Sequence, residues 1–149
     1  MSNRVYTTRR QAISKALADK IKDINGRGTF YLSIPEVSPY LKFWDEVKEF
    51  PAVHLNAGSE TREYQAGGYK DRFLNITIRC YVNQDNSVEA LDELLEDVET
   101  VVEDNSQLAY IDRDGNTQCT QQITVISIDT DEGVLDPLGV GEMLIEVRY

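Results

Sequence analysis

The stretch Arg72-Phe-Leu-Asn-Ile-Thr-Ile-Arg-Cys-Tyr-Val82 decides the reading of the fold. Leu74, Ile76, Ile78, Cys80 and Val82 point one way, and Phe73, Asn75, Thr77, Arg79 and Tyr81 point the other. Alternation over this length predicts a strand with one face on a core and the other toward solvent or a partner. The period then changes. Over residues 87–104, Leu91, Leu94, Leu95, Val98, Val101 and Val102 form an apolar stripe at helical spacing. Asn86 or Ser87 can cap this helix, and Glu89 complements its dipole. Its opposite face carries Glu89, Asp92, Glu93, Glu96, Asp97, Glu99, Glu103 and Asp104, with no Lys or Arg. Pairs such as Glu89/Glu93 and Glu99/Glu103 repel across one turn, each at a cost of a few tenths of a kcal/mol, which the apolar stripe must outweigh.

Toward the N-terminus, residues 8–24 read as an amphipathic helix. Ile13, Ala16, Leu17, Lys20, Ile21 and Ile24 share one face, and Thr8 with Gln11 fits a capping box. Asn25-Gly26 supplies a left-handed stop. Residues 29–34 alternate as a strand that Pro35 ends. Residues 36–50 hold Tyr40, Leu41, Phe43, Trp44, Val47 and Phe50, a density that leaves an irregular packed segment and a short helix both open. Pro51 opens a strand over 52–56, and the Gly-rich, polar residues 57–69 read as a long hairpin connection. Toward the C-terminus, Asp114-Gly115 marks a turn. Residues 123–130 and 142–149 read as strands, joined by a Gly- and Pro-rich loop over 131–141. The order α-β-β-β-α-β-β lacks regular helix–strand alternation. It predicts one α+β domain over residues 1–149: a mostly antiparallel four- to five-stranded sheet with two helices packed on one face.

Composition narrows the function. The chain has 149 residues, with 15 Lys+Arg against 26 Asp+Glu and a net charge of -11, so nothing in its overall field attracts phosphate. Met1-Ser2-Asn3-Arg4 is not followed by an apolar run, so no signal peptide is expected. No stretch approaches the ~20 apolar residues of a bilayer span, so no membrane partner is expected. Cys80 and Cys119 read as reduced thiols. The single histidine, His54, falls inside a strand without a nucleophile motif and reads as structural. Asp112-Arg-Asp-Gly-Asn116 places glycine fourth where a calcium loop needs it sixth, so a hairpin turn is the better reading. Gly26-x-Gly28 and Gly139-x-Gly141 lack the third glycine of a phosphate cradle, with Tyr31 and Leu144 in its place. No enzyme activity, cofactor or metal is expected.

What remains is binding surface. Tyr64 and Tyr69 lie beside Arg62, Lys70 and Arg72, and Tyr and Arg are frequent interface anchors. Charge is also split along the chain. Residues 1–75 hold 12 Lys+Arg and 9 Asp+Glu; residues 76–149 hold 3 and 17. Such a subunit is electrically polar and invites head-to-tail contact.

Local patterns carry a resemblance. Lys42-Phe-Trp-Asp-Glu-Val-Lys-Glu-Phe-Pro-Ala-Val53, then Asn56-Ala-Gly-Ser-Glu60 and the strand from Arg72, resemble the tail-terminator and tail-completion proteins of long-tailed bacteriophages. The ending Ile128-Asp-Thr-Asp-Glu-Gly-Val-Leu-Asp-Pro-Leu-Gly-Val-Gly-Glu142 and the strand after it are similar to the C-terminal hairpin of that family. The resemblance implies a structural protein of the virion, at the tail–neck junction and assembled in the bacterial host cytoplasm. It would form a ring, usually a hexamer, that caps the head-proximal end of the tail tube. The ring would stop tube polymerisation and offer a joining surface to the neck or head-completion protein, while DNA passes without specific binding. On this reading the tube and neck contacts are expected at Gly58, Glu60, Arg62, Tyr64, Gly67, Gly68 and Tyr69, and at Asp131, Glu132, Leu135 and Leu138. The subunit interface is expected at Arg9, Arg10, Lys15, Lys22 and Arg79, and at Glu93, Glu96 and Asp97. A head-closure or other neck protein, and more remotely a small cytosolic enzyme or ligand-binding domain, remain open.

Overall fold

The computed structural model describes residues 8–28, 30–41 and 46–149. The alternating residues 72–82 lie in β3 (Lys70–Asn83), the middle of a five-stranded sheet. On one side it pairs antiparallel with β2 (Ala52–Tyr64), which in turn pairs parallel with the short β1 (Glu36–Ser38). On the other side it pairs antiparallel with β7 (Leu138–Arg148), which carries β6 (Gln122–Thr130) at the far edge. The order is β1-β2-β3-β7-β6, a mixed, mainly antiparallel sheet. A separate small hairpin joins β4 (Ala109–Ile111) to β5 (Thr117–Cys119). Its turn is held by the Asp112 carboxylate, which accepts from the backbone N–H of Asp114 and Asn116, both at 2.9 Å.

Helices α1 (Arg9–Ile21) and α2 (Ser87–Asp104) both pack on one face of the sheet, giving the α+β architecture that the element order predicts. Register explains the core. Leu55, Ile78 and Met143 lie side by side across three strands, while Ile76 faces Ile145 and Leu74 faces Val147 between β3 and β7. All of these are fully buried against Ile13, Leu17 and Ile21 of α1 and Leu91, Leu94 and Val98 of α2. Each such aliphatic side chain contributes about 1.5–3 kcal/mol of burial, far above the repulsion between neighbouring acids on α2.

Several elements differ from expectation. The alternating residues 30–34 form no ladder, only a bridge between Ser33 and Asn25. The Asp97 carboxylate takes the backbone N–H of Tyr31 (2.9 and 3.1 Å) and of Leu32 (2.9 Å), donors that a strand would need. Asp97, expected on the exposed acidic face, is therefore buried. Helix α1 ends at Ile21, and Ile24 reaches the core from the turn beyond it. Lys20 is exposed rather than on the buried face. In the segment over 36–50, β1 is the regular element; residues 42–45 of the quoted phage-like run, and Thr29, lie outside the described residues. Strand β2 continues to Tyr64, through what read as a connection. The loop over 131–141 is shorter than expected, because β7 begins at Leu138. Gly139 and Gly141 are strand residues there for reasons of space. A Cβ on Gly139 would sit 2.7 Å from Val82 Cγ2, and one on Gly141 would sit 3.2 Å from Leu91 Cδ1 of α2.

No helix among the described residues is long and apolar enough to cross a membrane.

Candidate functional site

Two features project from opposite ends of the sheet. The register of β3 places them: its first residue, Lys70, pairs with Tyr64 at the hairpin end, and its last, Asn83, pairs with Leu138 beside the 131–137 turn.

The first is the outer half of the β2–β3 hairpin, entered through a bulge between Ala57 and Glu60. Gly58 lies within that bulge; Arg62 and residues 64–70 are all exposed. The tip turns through Gly67 and Gly68, whose φ of 82° and 83° suit glycine, and Gln65 N–H donates to the Tyr69 carbonyl at 2.7 Å. Tyr64 and Tyr69 are about three-quarters exposed, at 74% and 75%. The base of the hairpin is anchored instead. Glu60 accepts from Arg62 Nε at 2.9 Å and from Arg72 Nη2 at 3.3 Å. The Tyr149 hydroxyl donates to the other Glu60 oxygen. The guanidinium groups of Arg72 and Arg9 lie 4.7 and 4.9 Å from the Tyr149 ring centroid, and Arg9 Nη2 donates to the Tyr110 hydroxyl at 2.8 Å. Burial works to raise the Glu60 pKa, but the Tyr149, Arg62 and Arg72 partners outweigh it and hold the carboxyl below its usual range. Burial first, then the Glu60 carboxylate, pushes the Tyr149 hydroxyl up to about 12.

The second feature is the 131–137 turn. Asp131 N–H donates to the Val140 carbonyl at 3.0 Å. Asp136 reaches back to the start of α2, where its Oδ1 accepts from Ser87 Oγ at 2.6 Å and from Ser87 N–H at 3.1 Å. The Ser87 hydroxyl, then its backbone N–H, holds the Asp136 carboxyl below its usual range. Asp136 thus supplies the N-terminal hydrogen bond that Asn86, with φ of 58° and no side-chain capping bond, does not. Glu132 is exposed at a φ of 56°. Val134 (83%), Leu135 (49%) and Val88 of α2 (48%) present apolar surface here. Leu138 belongs to β7 and is half-buried.

The residues expected at the subunit interface do not share one surface. Arg9 is held by the tyrosines described above, and Arg10 Nη2 donates to the carbonyls of Ala57 (3.3 Å) and Gly58. Lys15 is exposed on α1 and Lys22 just after its end, Lys22 within 3.5 Å of Asp19. Arg79 lies on the sheet face away from the helices and donates to Glu142 through Nε at 2.9 Å. On α2, Glu96 is exposed, Glu93 is half-buried and Asp97 is buried. The charge of Glu96, then its hydrogen bond, raises the pKa of the nearby Tyr31 hydroxyl.

Sequence reading missed a groove of about 430 Å³ between the start of α1 and β2, lined among others by Arg10, Ser14, Lys15, Tyr40 and Ala57. Ser14 is 4% exposed, and its Oγ has no hydrogen-bond partner among the described residues. No local motif signals this groove, because it joins three segments more than 15 residues apart. The exposed Ile126 and Ile128 of β6 were also missed, since their isoleucine-rich run resembles a buried strand.

Against known proteins, a family model described as Bacteriophage Tail Tube Terminator Protein matches residues 7–149. The chain is also 32% identical over 150 residues to tail tube terminator protein p142 of Escherichia phage T5, covering 94% of this chain and 92% of that protein. The match spans the sheet, both helices and both projecting ends, so the chain belongs to the bacteriophage tail tube terminator family.

Proposed function

We propose that the protein ends the growth of a phage tail tube by seating a ring of its own copies, six in number, on the head-proximal face of the last tube ring. The observation that carries this reading is the family match over nearly the whole chain. The geometry supports a two-sided role, since the exposed hairpin tip and the 131–137 turn lie at opposite ends of one rigid sheet. One end meets the tube and the other the neck or head-completion protein. The ring replaces a propagating tube surface with one that adds no further tube subunits, and no covalent chemistry is involved. Net negative charge favours DNA passing through without adhering. Assembly takes place in the host cytoplasm, and the protein stays in the virion at the tail–neck junction.

A phage unable to make this protein tests the reading. Over-long, unjoined tails are the expected result. Normal-length tails beside empty heads would place the protein on the neck side instead.

A further inference from the structure

The two lateral edges of the sheet are unequal. The β1 edge is three residues long and lies between Pro35 and Pro39, so it offers little to a foreign strand. The β6 edge is nine residues long, contains no Lys or Pro, and among the described residues forms no ladder beyond its pairing with β7. It also exposes Ile126 (51%) and Ile128 (41%). A second open edge lies on β2. Its β1 partner stops at His54, and Arg10 covers the carbonyls of Ala57 and Gly58. Beyond them, residues 59–64 have no strand on their outer side among the described residues.

These two open edges fit each other. Strands β2, β3, β7 and β6 alternate in direction, so β6 and the β2 of a following copy placed in the same orientation are antiparallel. Charge favours the same neighbour. Beside the β2 edge, Arg10 and Lys15 line the α1 groove, while residues 59–64 themselves carry Glu60, Arg62 and Glu63; beside β6 stand Asp92, Asp129, Asp131 and Glu132. The α1 groove adds a receptor for acid, because it combines two cations, the start of a helix without acidic residues in its first turn, and a Ser14 hydroxyl without a hydrogen-bond partner among the described residues.

We propose that successive copies join edge to edge: β6 of one pairs antiparallel with residues 59–64 of the next, whose α1 groove receives a carboxylate from the first. This rests on the ring reading above and specifies its interface. Main-chain hydrogen bonds supply affinity, the charges supply direction, and closure removes both open edges.

Cysteine pairs across the joint test it, in a Cys119→Ser background because Cys119 is exposed. Thr124→Cys or Ser127→Cys, whose side chains share the sheet face of Thr61 and Glu63, is combined with Thr61→Cys or Glu63→Cys and oxidised, alone and with tube protein. Paired antiparallel strands bring Cα atoms to about 4.5–5.5 Å, within disulfide reach. At least one double variant is expected to give a covalent ladder ending at the ring size, with single variants giving none. Rings that form without any ladder overturn the edge pairing and leave the ring reading intact. Links from single variants indicate a twofold contact and also overturn it, as does linking to tube protein alone. Absence of rings with and without tubes, by light scattering and electron microscopy, fails the ring reading itself. For the groove, Lys15→Glu is expected to weaken assembly about tenfold at unchanged thermal stability. Unchanged assembly overturns that part.

Discussion

Replacing Asp97 with alanine separates a structural acid from a surface one. In the fold its carboxylate accepts the N–H groups of Tyr31 and Leu32 and tethers the 30–34 segment to α2. Asp97→Ala leaves two backbone donors without their acceptor. An unsatisfied buried donor costs about 1–3 kcal/mol, and these two are only partly buried, so the expected loss is about 2–3 kcal/mol. For a domain of this size that lowers Tm by roughly 5–10 °C, at about 2–4 °C per kcal/mol. Asp97→Asn keeps one acceptor oxygen and is expected to lose about half as much. Urea unfolding followed by circular dichroism measures both, with Glu96→Ala as the exposed control, expected within about 0.5 kcal/mol of the parent. Asp97→Ala at parental stability would refute the tether. If that variant also failed to assemble, Asp97 would be a contact residue after all.

Gly139→Ala forces a Cβ to 2.7 Å from Val82 Cγ2. A loss of about 1–3 kcal/mol is expected in the same urea assay. The Tyr149 hydroxyl has its pKa raised to about 12, so its contribution is full below the ordinary value near 10 and fades as pH rises from there to about 12. The stability difference between the parent and Tyr149→Phe is expected to shrink over that range; a constant difference would argue against the Glu60 bond. The acid side has the opposite sign. Glu60 is held below its usual range, so its contribution is lost as pH falls through its folded value, and Glu60→Gln is expected to flatten that loss. Tyr64→Ala combined with Tyr69→Ala is expected to leave Tm within about 2 °C, because both side chains are exposed, while weakening binding at the hairpin end in a pull-down with tube or neck protein.

The parts of the fold that were legible share one property: a regular burial period. In β3, β7 and α2 the core faces repeat every second residue or at helical spacing, so apolar residues report the geometry directly. Where both faces of a strand are wet, the signal vanishes. The outer half of β2 is exposed on both faces and reads as a loop, although it is continuous strand held by the Glu60–Arg72 and Tyr149 contacts. Residues 30–34 fail the other way, because their apolar alternation is real but Asp97, on a distant helix, takes the backbone donors. Gly139 and Gly141 suggest a turn locally, whereas the tight approach of Val82 and α2 requires them in a strand. The projecting ends were visible as composition, with Gly, Tyr and Arg in one and Asp, Val and Leu in the other. Their placement at opposite ends depends on strand register, which composition does not encode.

Growth of tail tubes in the presence of the purified protein tests the central claim most directly. Tube protein is polymerised with and without it, and lengths and ends are scored by electron microscopy. The account predicts that elongation stops and that a ring of protein sits on one end of each tube. Tubes that lengthen at the same rate with bare ends, at saturating protein, would contradict it.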